Sequence, residues 1–323
     1  MKRSLVLVLF IPLCVALLAA GKGLPEVKDF GEDPGNLRMF VHVPDAPGPS
    51  KRPLVVVLHG CTQKAARIAD LSGWNKVADQ CGAYVVYAQQ RPINNSLRCF
   101  NWFRPEDIAP EGGEVASIIS MVDHALANWP IDPERVFIYG VSSGGALAAA
   151  VIACHPERFQ GAAIFAGAPF KAARHTLDAR MIIRDPRSEP AAAWGSLVTD
   201  LYPDEKRSYP PVLVLHGTAD NVMDPGHGEA LVKQWTRVHG LDTIPTQIER
   251  PYKGAELVER RTYADAEGNV LVQHYVFHGI GHTLPIDPGP APDQGGRTTW
   301  VSVDVDLHST FEVAEQFGLI IDR

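Results

Sequence analysis

The sequence predicts an α/β fold in which a mostly parallel, twisted sheet carries helices on both faces. Three observations lead there. Short apolar runs rich in Val, Ile and Leu alternate along the chain with stretches of helical periodicity. These runs are continuously apolar, not polar on every second residue, which is the pattern of strands buried on both faces. Several are followed by loops containing Gly and His, at the strand ends where open α/β sheets gather their ligands.

Taken in order, the chain opens with Lys2 and Arg3, then an apolar stretch from Leu5 to Ala20 that closes on the small residues Ala19, Ala20 and Gly21. That is the pattern of a secretory signal peptide over residues 1–21. A membrane span needs about 18 to 20 apolar residues or more, and this stretch is shorter and contains Pro12. Export with cleavage near Ala20 is expected, giving a secreted or periplasmic protein with no membrane contact afterwards. Residues 22–323 are expected to form a single domain.

Within it, strands are expected at Arg38–Val43, Leu54–Leu58, Ala83–Tyr87, Val136–Tyr139, Ala162–Phe165 and Val212–Leu215. Helices are expected from about Lys64 to Gln80, from about Glu114 to Ala127, and over the small residues running to Cys154. Leu257–Tyr263 and Val270–Phe277 flank Glu267-Gly268-Asn269 and read as a hairpin leading into the loop His278–His282. Residues 171–209, rich in Pro, Arg and Ala, are too long for a plain connection and are expected to form a cap or rim insertion.

Bulk properties narrow the function classes. The 323 residues are 46% hydrophobic and 21% charged, enough apolar material for a sizeable core. A net charge of -7 without any Lys/Arg cluster argues against nucleic acid as a partner. Past the leader, Cys61, Cys81, Cys99 and Cys154 are even in number and sit in an oxidising context, so disulfides are possible, and all three complete pairings stay open. No two of them stand at zinc-knuckle spacing, and no metal or organic cofactor is implied.

The stretch Gly140-Val141-Ser142-Ser143-Gly144-Gly145 carries the most chemistry. It follows an apolar strand and precedes Ala146–Ala150, so Ser142 is expected on a tight strand-to-helix turn whose neighbours two residues away must lack bulk. A phosphate loop would need a Lys that is absent, and the dinucleotide pattern Gly-x-Gly-x-x-Gly is also missing. A plain loop or a helix-capping serine is the simpler alternative. A serine hydroxyl needs a base, and the base an orienting acid, in the chain order Ser, Asp or Glu, His. Asp220, just after the Val212–Leu215 strand, fits as the acid, with Asp224 and Asp204 as rivals. His282, beside Gly281 on a loop, fits as the base, with His278, His274 and His216 as rivals. The backbone N–H groups of Ser143 and Cys61 are the expected oxyanion donors, and Trp102 a candidate flat wall for substrate.

Taken together, Leu58-His-Gly-Cys-Thr-Gln63, Asn101-Trp102-Phe103, Tyr139–Gly145, His216–Asp220 and Gly279–His282 resemble the secreted esterases of the poly(3-hydroxybutyrate) depolymerase family, relatives of feruloyl and acetylxylan esterases. The resemblance implies an α/β-hydrolase fold, Ser142, Asp220 and His282 as catalytic residues, and Cys61 and Ser143 as oxyanion donors. It implies an ester substrate, small or polymeric. Thr283-Leu284-Pro285-Ile286 departs from the Trp-Pro-Gly-Gly run often seen in that family, and the chain leaves no room for a linker and separate polymer-binding module. Feruloyl or acetyl esters of cell-wall polysaccharide, a peptide bond, or a non-catalytic binding role are the alternatives.

Overall fold

The computed structural model describes residues 23–45 and 51–320; the leader segment lies outside the described residues. The elements run β1 (Glu26–Val27), β2 (Arg38–His42), β3 (Arg52–Leu58), α1 (Ala65–Ser72), α2 (Trp74–Cys81), β4 (Tyr84–Gln89), α3 (Gly113–Asn128), β5 (Ile131–Val141) and α4 (Ser143–Cys154). They continue β6 (Gly161–Phe165), α5 (Thr176–Ile182), α6 (Ala191–Thr199), β7 (Val212–Gly217), α7 (Gly226–Val238), β8 (Gln247–Glu249), β9 (Val258–Ala264), β10 (Val270–Phe277), β11 (Leu284–Ile286), β12 (Ser302–Asp304) and α8 (Ser309–Gln316).

Ten strands form one sheet in the order β1-β2-β4-β3-β5-β6-β7-β10-β9-β8. From β4 to β10 every neighbouring pair is parallel, while the outer strands on both sides are antiparallel. The strand period of two sorts the apolar side chains between faces. Leu54, Val56 and Ile138 pack toward α3, α4 and α7, whereas Val55, Val57 and Tyr139 pack toward α1, α2 and α8. Each such burial stabilises the fold by about 1.5 to 3 kcal/mol. Among the described residues, no helix is long and apolar enough to cross a membrane.

Two differences from the sequence expectation have a physical reason. The single helix expected from about Lys64 to Gln80 is two helices broken at Gly73, which takes φ 74° and caps α1 with its N–H on Ala69 O. A Cβ at Gly73 would also meet the His308 ring at 3.2 Å and Gly296 N at 3.0 Å, so a distant part of the chain packs into the break. Helix α7 is not anticipated by the apolar runs, although it buries His227, Leu231 and Trp235 at helical spacing. The hairpin forms as expected from β9 and β10, with Gly268 at φ 85° in its turn.

The turn from β5 into α4 is tight and strained. Ser142 has φ 57° and ψ -119°, a conformation that disfavours any residue with a Cβ. Its backbone N–H donates to Phe165 O at 2.8 Å, and its C=O accepts from Ala146 N at 3.0 Å, opening α4. A Cβ at Gly140 would lie 2.2 Å from Gly144 O, and one at Gly144 would lie 2.4 Å from Leu58 O. These two glycines are therefore required by contact alone. Gly144→Ala is expected to destabilise the protein by about 3 kcal/mol in urea unfolding, through backbone displacement. Gly82→Ala, at φ 72° but with open space around it, should cost only about 1 kcal/mol.

Candidate active site

At the carboxyl end of the sheet, three side chains from separate strand ends meet. His282 Nε2 lies 3.0 Å from Ser142 Oγ, and His282 Nδ1 lies 2.6 Å from Asp220 Oδ2. Asp220 follows β7 and His282 follows β10, the strand hydrogen-bonded beside it, so adjacency in the sheet closes a gap of 62 residues in sequence. The carboxylate fixes the imidazole with its proton on Nδ1 and its lone pair on Nε2 toward the serine.

Asp220 is anchored from several sides. Its Oδ1 accepts the backbone N–H groups of Val222 and Met223, both at 2.9 Å. Burial opposes its charge, but hydrogen bonds from His216 and His282 and the charge of His282 outweigh that, holding the carboxyl well below the usual carboxylate range. His216, read from sequence only as a strand-end histidine, directs Nε2 at Met223 O (2.9 Å) and at Asp220 Oδ2 (3.3 Å). The other rivals lie elsewhere. Asp224 accepts from Gly226 N at the start of α7, Asp204 is exposed, His278 pairs with Glu259, and His274 is buried in β10 with its pKa lowered to about 3 by desolvation.

The loop after β3 abuts the serine, since a Cβ on Gly60 would stand 3.3 Å from Ser142 Cβ. Among the described residues neither the Cys61 N–H nor the Ser143 N–H has an acceptor. Behind this loop, His59 donates Nδ1–H to Gly60 O (2.7 Å) and accepts Gln90 N–H on Nε2 (3.1 Å). Desolvation pushes His59 down to about 4, so it is neutral at ordinary pH. The Gln90 side chain donates in turn to the buried Glu114, which also accepts Asn101 N–H at 2.8 Å. Cys61 is joined to Cys99 by a disulfide, leaving Cys81 and Cys154 free. This selects one pair from the pairings the sequence leaves open.

The site opens into a cavity of about 640 Å³, a size suited to small organic ligands. Trp102 lies in its wall, packed edge-to-face on Phe103 with centroids 5.6 Å apart. Residues 171–209 hold α5 and α6, and α5 contributes Thr176, Ala179 and Arg180 to the cavity wall. Gln90 and Glu114 are site-supporting residues that no local sequence pattern marks, and His59, although it lies in the motif after β3, has no role assigned from sequence. Replacing both Cys61 and Cys99 with Ala is expected to lower stability by about 3 kcal/mol. The urea midpoint, compared with that of wild type under non-reducing conditions, measures it.

A family model described as esterase PHB depolymerase matches residues 37–253. In sequence the chain is 39% identical over 297 residues to a poly(3-hydroxyalkanoate) depolymerase C of Paucimonas lemoignei, covering 92% of this chain and 70% of that protein. It is 32% identical over 273 residues to an acetylxylan esterase of Coprinopsis cinerea, covering 81% and 69%. A feruloyl esterase B of Talaromyces stipitatus is 28% identical over 282 residues, covering 85% and 76%. An acetyl xylan esterase structure from Aspergillus awamori shares the fold at a TM-score of 0.77 and 23% identity, over 92% of this chain and 99% of that one. With that fold and these relatives, the chain belongs to the esterase PHB depolymerase family and is a serine ester hydrolase of the α/β-hydrolase fold.

Proposed function

We propose that this chain hydrolyses hydroxyalkanoate esters, of the poly- or oligo-3-hydroxybutyrate type, through an acyl-enzyme on Ser142. The observation that carries the assignment of roles is the continuous chain from Ser142 Oγ to His282 to Asp220, at 3.0 and 2.6 Å. His282 Nε2 takes the serine proton as Oγ attacks the ester carbonyl. Negative charge on the carbonyl oxygen is met by the N–H groups of Ser143 and Cys61, each worth about 3 kcal/mol of transition-state stabilisation. His282 then protonates the leaving alcohol, and water repeats the sequence to release the acid. Asp220, ionised and already hydrogen-bonded, holds the imidazole and its transient positive charge without taking the proton.

Several features support the substrate and setting. Among the relatives above, the poly(3-hydroxyalkanoate) depolymerase has the highest identity to this chain. The cavity wall offers apolar surface at Trp102, Phe103 and Leu97 for a short aliphatic chain. Residues 1–21 act in this reading as an export leader, and the Cys61–Cys99 bridge suits a secreted or periplasmic protein in an oxidising compartment. Residues 22–323 form the catalytic domain, with 171–209 as the rim of its cavity.

Ser142→Ala is expected to reduce hydrolysis of p-nitrophenyl butyrate by about four orders of magnitude or more, and Asp220→Asn by about 10⁴, with unchanged circular dichroism. Near wild-type turnover in Ser142→Ala would refute the acyl-enzyme. In a panel of 3-hydroxybutyrate trimer, methyl ferulate and acetylated xylan, kcat/KM should be highest for the trimer by about ten-fold or more. A preference for either of the other two would reassign the substrate.

A further inference from the structure

The cavity that holds Ser142 has a one-sided charge. Three arginines line it, Arg67, Arg104 and Arg180, and among the described residues no Asp or Glu does, in a chain whose net charge is -7. Arg67 and Arg104 reach Asp70 and Asp107 at 3.6 and 3.9 Å, both long contacts to carboxylates outside the cavity lining, and keep side-chain exposures of 34% and 41%. Arg180, on α5, is exposed and has no ion pair among the described residues. The rest of the wall is largely apolar, including Trp102, Phe103, Val222 and Trp300. An apolar trough with cations and no anions complements an aliphatic ester chain ending in a carboxylate.

We propose that Arg67, Arg104 and Arg180 make this cavity select ester chains with a free carboxylate on the alcohol side of the scissile bond. This rests on the hydroxyalkanoate reading above and narrows it. An uncapped hydroxyalkanoate oligomer carries its one charge at that end, while the interior of a polymer carries none. In the acylation step the acyl C–O bond breaks, His282 delivers its proton to the alcohol oxygen, and a hydroxycarboxylate departs. Water then adds to the acyl-enzyme carbonyl and releases the remaining chain as a second acid. Guanidinium groups suit this task because they stay charged and bind carboxylates in a bidentate manner. The preferred reaction is therefore removal of short hydroxy acids from the carboxyl ends of soluble oligomers.

The test compares a 3-hydroxybutyrate trimer bearing a free carboxylate with the same trimer capped as its methylamide, with products quantified by chromatography. Wild type should favour the free acid by about ten-fold in kcat/KM at low salt, and the advantage should shrink by about three-fold in roughly 0.5 M NaCl. In Arg67→Gln/Arg104→Gln/Arg180→Gln the ratio should fall to within about two-fold of unity, while the corresponding Lys variant, which keeps the charge but loses the bidentate fork, should fall between that and wild type. Arg180→Glu, which breaks no ion pair, should alone lower the ratio by about three-fold and covers the case in which the triple variant does not fold. A wild-type ratio near unity, or a ratio that survives in folded Gln and Arg180→Glu variants, would overturn the proposal. Turnover of p-nitrophenyl butyrate with neither trimer cleaved would instead overturn the hydroxyalkanoate reading, and this selectivity with it.

Discussion

Holding Ser142 at φ 57° imposes a condition on everything around it, and the surroundings meet that condition by leaving side chains out. Gly140 and Gly144 are bare because the backbones of β5, α4 and β3 approach too closely for a Cβ. The strained conformation costs of order 1 to 3 kcal/mol and is offset by the hydrogen bond to Phe165 O and by the start of a fully buried helix. The same close approach that forbids a side chain brings the loop after β3 beside the serine. One backbone geometry thus sets both the position of the hydroxyl and the neighbourhood of the N–H groups of Ser143 and Cys61, the proposed oxyanion donors.

Around that point the molecule uses two kinds of support. On the acid side, Asp220 is saturated with donors, so its orientation is determined before the imidazole meets it. On the side of the loop after β3, the chain from Glu114 through Gln90 to His59 ends on Gly60 O, and the Cys61–Cys99 bridge ties the next residue to the segment that supplies Asn101. Buried polar groups that are satisfied in this way rigidify, because each lost contact leaves an unpaired atom away from water. The neutrality of His59 follows from the same burial that makes it useful as a spacer.

The parts legible in the sequence were those with local signatures. The buried strands, the Gly-x-Ser-x-Gly turn and the Ser, Asp, His order are written in short stretches, and the structure brings those three side chains together at the strand ends where the pattern put them. What stayed illegible depends on distant contacts. At Gly73 the glycine is a local breaker signal, but the packing of His308 into the break comes from more than 200 residues away and has no local trace. The cysteine pairing depends on how the loop after β4 folds back over the loop after β3, and the role of Glu114 on a partner far off in sequence. His216 was legible as a strand-end residue, but its contact with Asp220 depends on how the loop after β7 turns back.

The borders of the large sheet differ from its centre. Its outermost strands, β1 and β8, are only two and three residues long, and both run antiparallel to their neighbours. Little unpaired ladder is therefore offered to another molecule, which blunts the tendency of open sheets to stack side by side. The carboxyl end of the sheet, where Ser142 sits, thus stays open to a ligand while the flanks give neighbouring copies little to pair with.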